Sequence, residues 1–392
     1  MNVYVTGIGV VSALGIGVEA NLRALQTGTT GIESCETRKG SALKGRLKKS
    51  DVELKNILGL ELESQVPRTA LLAMLASREA WGDSVVDSML KTGLINGTTT
   101  GGMDLSERYF ASLYLEDDAS QIQQLMTHDL GTVTHLVNSQ FGIKEYVNTI
   151  STACSSAANA IMLGARMIQA GILDRVLVGG TDALTDFTVD GFGSLMIYDK
   201  EHCRPFDEGR VGLNLGEGAG FLLLENEKSI KVSGHKKLGL CQGWANTNDA
   251  YHQTGTSPAG DGAALAMLEA LELADLRPQD IDYLNAHGTA TRNNDDSELS
   301  AIDRVFEGVE LDFSSTKAHT GHTLAAAGGI EAVYSILSLM HGCVFPTLNW
   351  KNKMVASERT PVVAYRKKEI QTVMSNSFGF GGNSTSLIFS KV

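Results

Sequence analysis

Val147-Asn148-Thr149-Ile150-Ser151-Thr152-Ala153-Cys154-Ser155-Ser156-Ala157-Ala158-Asn159-Ala160 is the stretch on which the reading of this chain turns. It reads as a buried strand, a turn of small residues and then a helix. Residues 157–172 hold Ala, Met, Leu, Arg and Gln, all good helix formers, and the run stops at Gly171. Cys154 is therefore expected at or just before a helix N-terminus, where unpaired N–H groups and the dipole favour negative charge. A thiol so placed is expected to ionise more readily, and the thiolate is the nucleophilic form. The competing reading is a small buried cysteine, the commoner fate of a free thiol.

Outward from this turn the chain alternates strands and helices. Strands are expected at 3–11, 94–97, 175–180 and 221–224, and helices at 18–26, 67–81 and 132–141. After a polar seam at 225–237 the pattern restarts. Strands are expected at 238–244, 281–286, 362–365, 372–376 and 386–389, with helices at 262–273, 295–306 and 324–340. The strand at 175–180 closes a βαβ-like unit around the Cys154 helix. A chain of 392 residues exceeds one ordinary core. We expect two αβ halves of like layout, 1–232 and 233–392, although no direct sequence repeat proves a duplication.

Composition removes several classes of function. Net charge is −12, against bulk nucleic-acid binding. Five scattered cysteines without CxxC spacing argue against a disulfide framework or a zinc site and fit a reducing cytoplasm. No run of 18 apolar residues is present, and none is expected to span a membrane. Gly216, Gly218 and Gly220 precede a strand and not a helix, so a dinucleotide-binding turn is not expected.

Three later segments are polar and turn-rich: Asn285-Ala286-His287-Gly288-Thr289-Ala290-Thr291, Ser315-Thr316-Lys317-Ala318-His319-Thr320-Gly321-His322, and Ser377-Phe378-Gly379-Phe380-Gly381-Gly382-Asn383. In an αβ sheet, loops at the carboxyl ends of strands form the ligand crevice. Each His alone is more often structural; with Cys154, a shared site becomes the better reading.

With these motifs in hand, the chain resembles the β-ketoacyl-acyl carrier protein synthases of the elongating type, within the thiolase-fold superfamily. The resemblance runs from Val5-Thr6-Gly7-Ile8-Gly9 to Phe378-Gly379-Phe380-Gly381-Gly382, and its motifs are jointly specific. It implies an α/β, thiolase-like fold, a duplicated five-layer αβαβα arrangement. It also implies an acyltransferase joining malonyl-carrier to a Cys-bound acyl group by decarboxylative Claisen condensation. By this resemblance Cys154 holds the acyl group, and His287 and His322 stabilise the enolate left when CO2 departs. Lys317 and Glu331 form a supporting charge pair, and Phe380 supplies an oxyanion-hole N–H and a gate hinged on Gly379, Gly381 and Gly382. Thr289, Thr291 and Phe378 complete the set, while Asp295 and Glu298 are expected to cap a helix and order loops. The resemblance implies no metal and no free cofactor, since the substrate arrives on the phosphopantetheine of an acyl carrier protein. It also implies a dimer, with itself or with a related ketosynthase.

The initiating branch of the family uses Cys-His-Asn, and His322 argues against it. The chain is shorter than the best-known fatty-acid members at 33–65 and 196–204. Leu195-Met196 stand where many relatives carry a docking Arg, Arg292 stands where Pro or a small residue is frequent, and Asn383-Ser384 replaces Thr-Asn. The compact form points to polyene or polyketide-like elongation rather than housekeeping synthesis. Lys44, Arg46, Lys48 and Lys49 form a basic cluster that reads as a solvated face or, together with Arg68, as a dock for an acidic carrier. Two competing functions remain. A non-catalytic, chain-length-factor-like partner subunit would lack the Cys. A degradative thiolase would carry a second Cys in the C-terminal glycine turn.

Overall fold

The strand expected at 3–11 forms as β1 (Tyr4–Ser12), and nine longer strands together with the two-residue strand Gly15–Ile16 join it in one 11-stranded sheet. The computed structural model describes residues 1–37 and 40–392. In chain order the others are β2 (Thr92–Gly97), β3 (Tyr146–Ile150), β4 (Arg175–Asp182), β5 (Gly218–Glu225), β6 (Gly239–Asn248), β7 (Tyr283–Asn285), β8 (Asp312–Ser314), β9 (Thr372–Gly379) and β10 (Asn383–Ser390). The spatial order is β8-β7-β9-β10-β6-β1-β5-β4-β2-β3. The two halves repeat one topology. β3, β2 and β4 are parallel, with β5 and β1 antiparallel beyond them. β8, β7 and β9 are likewise parallel, with β10 and β6 antiparallel beyond them. The halves meet where Tyr4 and Val5 of β1 pair Leu240 and Gly239 of β6.

Helices on both faces make five layers. α1 (Arg68–Trp81) covers the outer face of the first half. α2 (Met103–Glu116), α3 (Ser156–Gln169) and α4 (Asp186–Ser194) follow. α5 (Asp261–Ala274) and α6 (Arg292–Val305) cover the outer face of the second half, and α7 (Ala327–His341) lies beside α3 in the central layer. The central layer is packed to backbone contact. A Cβ on Gly220 of β5 would sit 2.3 Å from the Gly329 carbonyl carbon of α7. Real Cβ atoms do not approach so closely, so only glycine fits there. Many of the glycines thus serve helix–sheet approach and not only turns.

Several expectations are corrected. The Cys154 approach, read as a buried strand, is the half-exposed edge strand β3. Residues 362–365 form no strand; Cys343–Val344 and Arg366–Lys367 pair instead in a small two-stranded sheet. Helices α2 and α4 fall where none was expected. The run Leu324–His341 is long and apolar enough by composition to cross a membrane, yet 89% of it is buried inside the fold and it carries Glu331. It is a core helix.

Candidate active site

Cys154 lies one residue ahead of Ser155, the N-cap of α3. Its approach is strained, because Ala153 has φ +51°. Ala290, three residues after His287, and Leu324, two residues after His322, also have positive φ, at +67° and +51°. Non-glycine residues pay for such conformations and hold them only where the surroundings enforce them. Here they flank all three candidate side chains.

Each candidate projects from the carboxyl end of a parallel strand or its following loop. Cys154 follows β3, His287 follows β7, Lys317 and His322 follow β8, and Phe378 and Phe380 lie at the end of β9. Glu298 of α6 fixes the His287 loop by accepting from the N–H groups of His287 (2.8 Å) and Gly288 (2.7 Å). Asp295 was expected to cap α6 and order loops; α6 has no side-chain cap, and the Asp295 carboxylate instead ties two loops together, accepting from Ala290 N (3.1 Å) and Phe206 N (2.8 Å). The two imidazoles stand nearly perpendicular, with centroids 5.4 Å apart and planes at 86°.

Their protonation is set by their neighbours. The Leu324 N–H donates to His322 Nδ1 at 3.3 Å, and the Lys317 ammonium donates to His287 Nδ1 at 3.3 Å. With Nδ1 accepting in each ring, each neutral imidazole carries its proton on Nε2. Burial and then the Lys317 charge hold both imidazoles well below the usual histidine range. Lys317 in turn pairs with Glu331 of α7, both nearly fully buried. Burial pushes the Glu331 carboxyl up and the ammonium pulls it back.

Burial pushes the Cys154 thiol up to about 12, against the opposing pull of Lys317 and of the Phe380 and Cys154 N–H groups. The expectation of a readily ionised thiol is therefore corrected: desolvation outweighs the helix dipole. Neither imidazole presents a free Nε2 lone pair to take the proton.

Cys154, His287, His322, Thr289, Thr291, Phe378 and Phe380 line one cavity of about 340 Å³. Thr289 and Thr291 hydrogen-bond each other at 2.9 Å. Phe380 stacks on Phe192 of α4, with centroids 5.6 Å apart, and closes one wall. A Cβ on Gly379 would lie 2.9 Å from Thr152 O and 3.1 Å from Cys154 N, so the 378–380 strand end rests directly on the Cys154 turn. Between α2 and α4 lies a larger, open groove of about 880 Å³, lined by Phe110, Ala111, Tyr114 and Phe187 among others.

Two groups of residues escaped the sequence reading. Asp182, wholly buried at the end of β4, accepts from the N–H and hydroxyl groups of Thr99 and Thr100, from the Thr98 hydroxyl, and from Ala325 N at 2.9 Å. It ties the loop after β2 to the segment after His322. An acid ending an apolar strand at Gly179-Gly180-Thr181-Asp182 was the available signal. Asn383 Oδ1 accepts from Ser155 Oγ (2.6 Å), Asn159 Nδ2 (3.0 Å) and Asn246 Nδ2 (2.8 Å), bracing α3 behind the thiol.

The basic cluster divides. Arg68 is no docking residue. It is buried, and its guanidinium grips Glu217 (2.6 Å) and Asp51 (2.7 Å) and donates to the carbonyls of Leu47 and Lys49. Lys44 is 8% exposed. Arg46 is exposed, and Lys48 and Lys49 are exposed beside local acids Glu33 and Glu53.

A duplicated αβαβα fold that gathers one cysteine and two histidines at its strand ends defines a condensing enzyme of thiolase-like architecture. The family descriptions "Beta-ketoacyl synthase, N-terminal domain" and "Beta-ketoacyl synthase, C-terminal domain" match residues 1–229 and 238–351. The chain is 32% identical to the "3-oxoacyl-[acyl-carrier-protein] synthase 2" of Staphylococcus aureus strain MRSA252, covering 100% of this chain and 98% of that one. It is also 32% identical to the protein of that name from Coxiella burnetii, at 100% and 98% coverage. Among solved structures, the ishigamide ketosynthase/chain length factor superposes with a TM-score of 0.92 at 25% identity, covering 100% and 99%. A ketosynthase in complex with its chain length factor from Xenorhabdus doucetiae superposes at 0.87 with 29% identity, covering 100% and 98%. This chain belongs to the β-ketoacyl synthase family and is an acyltransferase of the condensing class.

Proposed function

We propose that Cys154, His287 and His322 perform the condensation as a unit. The single observation that carries this reading is their convergence in one cavity with both imidazoles held neutral and protonated on Nε2. The Cys154 thiol gives up its proton, its thiolate sulfur attacks the acyl-carrier thioester carbonyl, the carrier C–S bond breaks, and the departing carrier sulfur takes up the proton. Malonyl-carrier then loses CO2, and the two Nε2–H groups donate to the thioester oxygen on which enolate charge develops. The enolate carbon attacks the Cys154 thioester, the new C–C bond forms, the C–S bond breaks and the thiolate returns. The N–H groups of Cys154 and Phe380 are directed toward Sγ and suit an oxyanion. Lys317 and Glu331 position His287, Thr289 and Thr291 contact the arm, and Phe378 packs against His287 at 5.7 Å.

The substrate arm is the phosphopantetheine of an acyl carrier protein, and no further cofactor enters the scheme. Arg46, Lys48 and Lys49, with the mostly buried Lys44, offer the remaining basic face for an acidic carrier. The half-exposed edge strand β3 and the exposed Phe110, Tyr114 and Leu115 on α2 support pairing with a second ketosynthase chain, like or unlike. Five free cysteines support a reducing cytoplasm. The likeness to the ishigamide ketosynthase/chain length factor favours specialised chain elongation. We take 1–232 and 233–392 as the two halves, the first carrying the thiol and the second the imidazoles.

The test is intact-mass detection of acylated Cys154 across acyl-carrier proteins of varied chain length, followed by malonyl-carrier. Loading and a β-ketoacyl product are expected. No loading from any donor would overturn the site reading and move the chain to the partner-subunit role.

A further inference from the structure

Arg292 opens α6 and lines the same cavity as Cys154, His287 and His322. Among the described residues lining that cavity it is the one Lys, Arg, Asp or Glu. Its side chain is exposed and enters no hydrogen bond or ion pair among the described residues. The nearby acids are already engaged: Asp296 pairs with Arg210 at 2.6 Å, and Asp295 accepts from backbone N–H groups. The backbone under Arg292 is anchored, because its carbonyl accepts from the buried Arg210 at 3.3 Å. The opposite rim is anchored too. Asn293 Oδ1 accepts from Thr256 N at 2.9 Å, and Asn293 Nδ2 donates to Thr256 O at 3.2 Å. An unpaired guanidinium therefore rises from an anchored stretch of backbone at the rim, on a chain of net charge −12.

The substrate arm has a thiol end and a phosphate end. For the thioester to reach Cys154, the phosphate end must trail at the rim. A guanidinium presents a planar fork of donors that matches phosphate oxygens two at a time. We propose that Arg292 binds the phosphodiester of the phosphopantetheine arm and so selects carrier-borne or phosphorylated thioesters over plain pantetheine thioesters. This rests on the reading of the cavity as the condensation site.

The experiment compares acyl-phosphopantetheine with acyl-pantetheine as donors to Cys154, read by intact mass and by initial rates, alongside the acyl-carrier protein. Where the free arms turn over too slowly, the inhibition constants of phosphopantetheine and pantetheine against the carrier substrate give the same ratio. The native protein is expected to favour the phosphorylated arm by about three- to tenfold, since an exposed charged contact is worth less than a buried one. Arg292→Ala should erase the preference through KM with kcat kept, Arg292→Lys should keep part of it, and Arg292→Glu should reverse it. The preference should also shrink with added salt. An unchanged preference in Arg292→Ala overturns the inference. So does a rise in KM confined to the carrier-borne substrate, which would assign Arg292 to acidic residues of the carrier. If the native protein loads from no donor, the condensation reading fails and this inference with it.

Discussion

Replacing Lys317 by Met separates charge support from chemistry. The ammonium contacts Glu331 and donates to His287 Nδ1, and Lys317 and Glu331 are each 2% exposed. Removing the cation strands a buried carboxylate, which costs about 3–5 kcal/mol of stability. It also frees the His287 tautomer, so the ring loses its enforced Nε2–H donor. Loss of one such donor lowers the rate by about 10²–10³-fold. The assay reads CO2 release from malonyl-carrier separately from Cys154 acylation. Decarboxylation should fall by that factor, and acylation should fall too, since Lys317 is the cation that opposes the burial-driven rise of the thiol. The double variant Lys317→Met/Glu331→Leu removes both charges and should recover most of the lost stability in a urea melt, but not the decarboxylation. If decarboxylation stays within threefold of native in Lys317→Met, or returns in the double variant, the positioning argument is wrong.

Further tests follow from other parts of the site. A thiol raised to about 12 means the thiolate fraction grows tenfold per pH unit below that value, so Cys154 acylation should climb steadily from pH 7 to 9; a plateau near pH 8 would contradict it. Burial lifts the Glu298 carboxyl from 4.5 to about 7, so the native state binds the proton more tightly than the unfolded chain. Its contribution, about 3 kcal/mol, is present below pH 4.5 and lost as pH rises to 7. Denaturant melts of Glu298→Gln should lack that decline, and an unchanged slope would reject the assignment. Gly379→Ala drives a Cβ against Thr152 O and should displace the Phe380 N–H, slowing acylation by about 10²-fold; native kinetics would show that N–H to be idle. Ala111→Trp crowds the groove between α2 and α4, beside the exposed Phe110 and Tyr114, and should weaken pairing with a second ketosynthase chain by about tenfold or more in sedimentation; unaltered association would place the partner elsewhere.

Much of the fold is legible locally because period and turn chemistry act over a few residues. The helices at 18–26 and 67–81 form as Val18–Thr27 and Arg68–Trp81, and the strand at 175–180 extends to Asp182. The missed helix Met103–Glu116 has a weak apolar stripe, with Phe110, Tyr114 and Leu115 left exposed on one side. Its helicity was hidden because those residues do not face this chain's core.

The class of chemistry is readable from local motifs. A Cys in a small-residue turn before a helix, with His in two turn-rich motifs, limits what the chain can do whatever the exact packing. The electrical state of those groups depends instead on packing that brings distant residues together. Cys154 ionises with difficulty, both imidazoles stay neutral, and Arg68 is a buried clamp on Glu217 and not a surface cation. Burial and through-space charge set those properties, and both depend on residues such as Lys317 and Glu217, 163 and 149 positions from the groups they act on. Sequence spacing does not encode such distances.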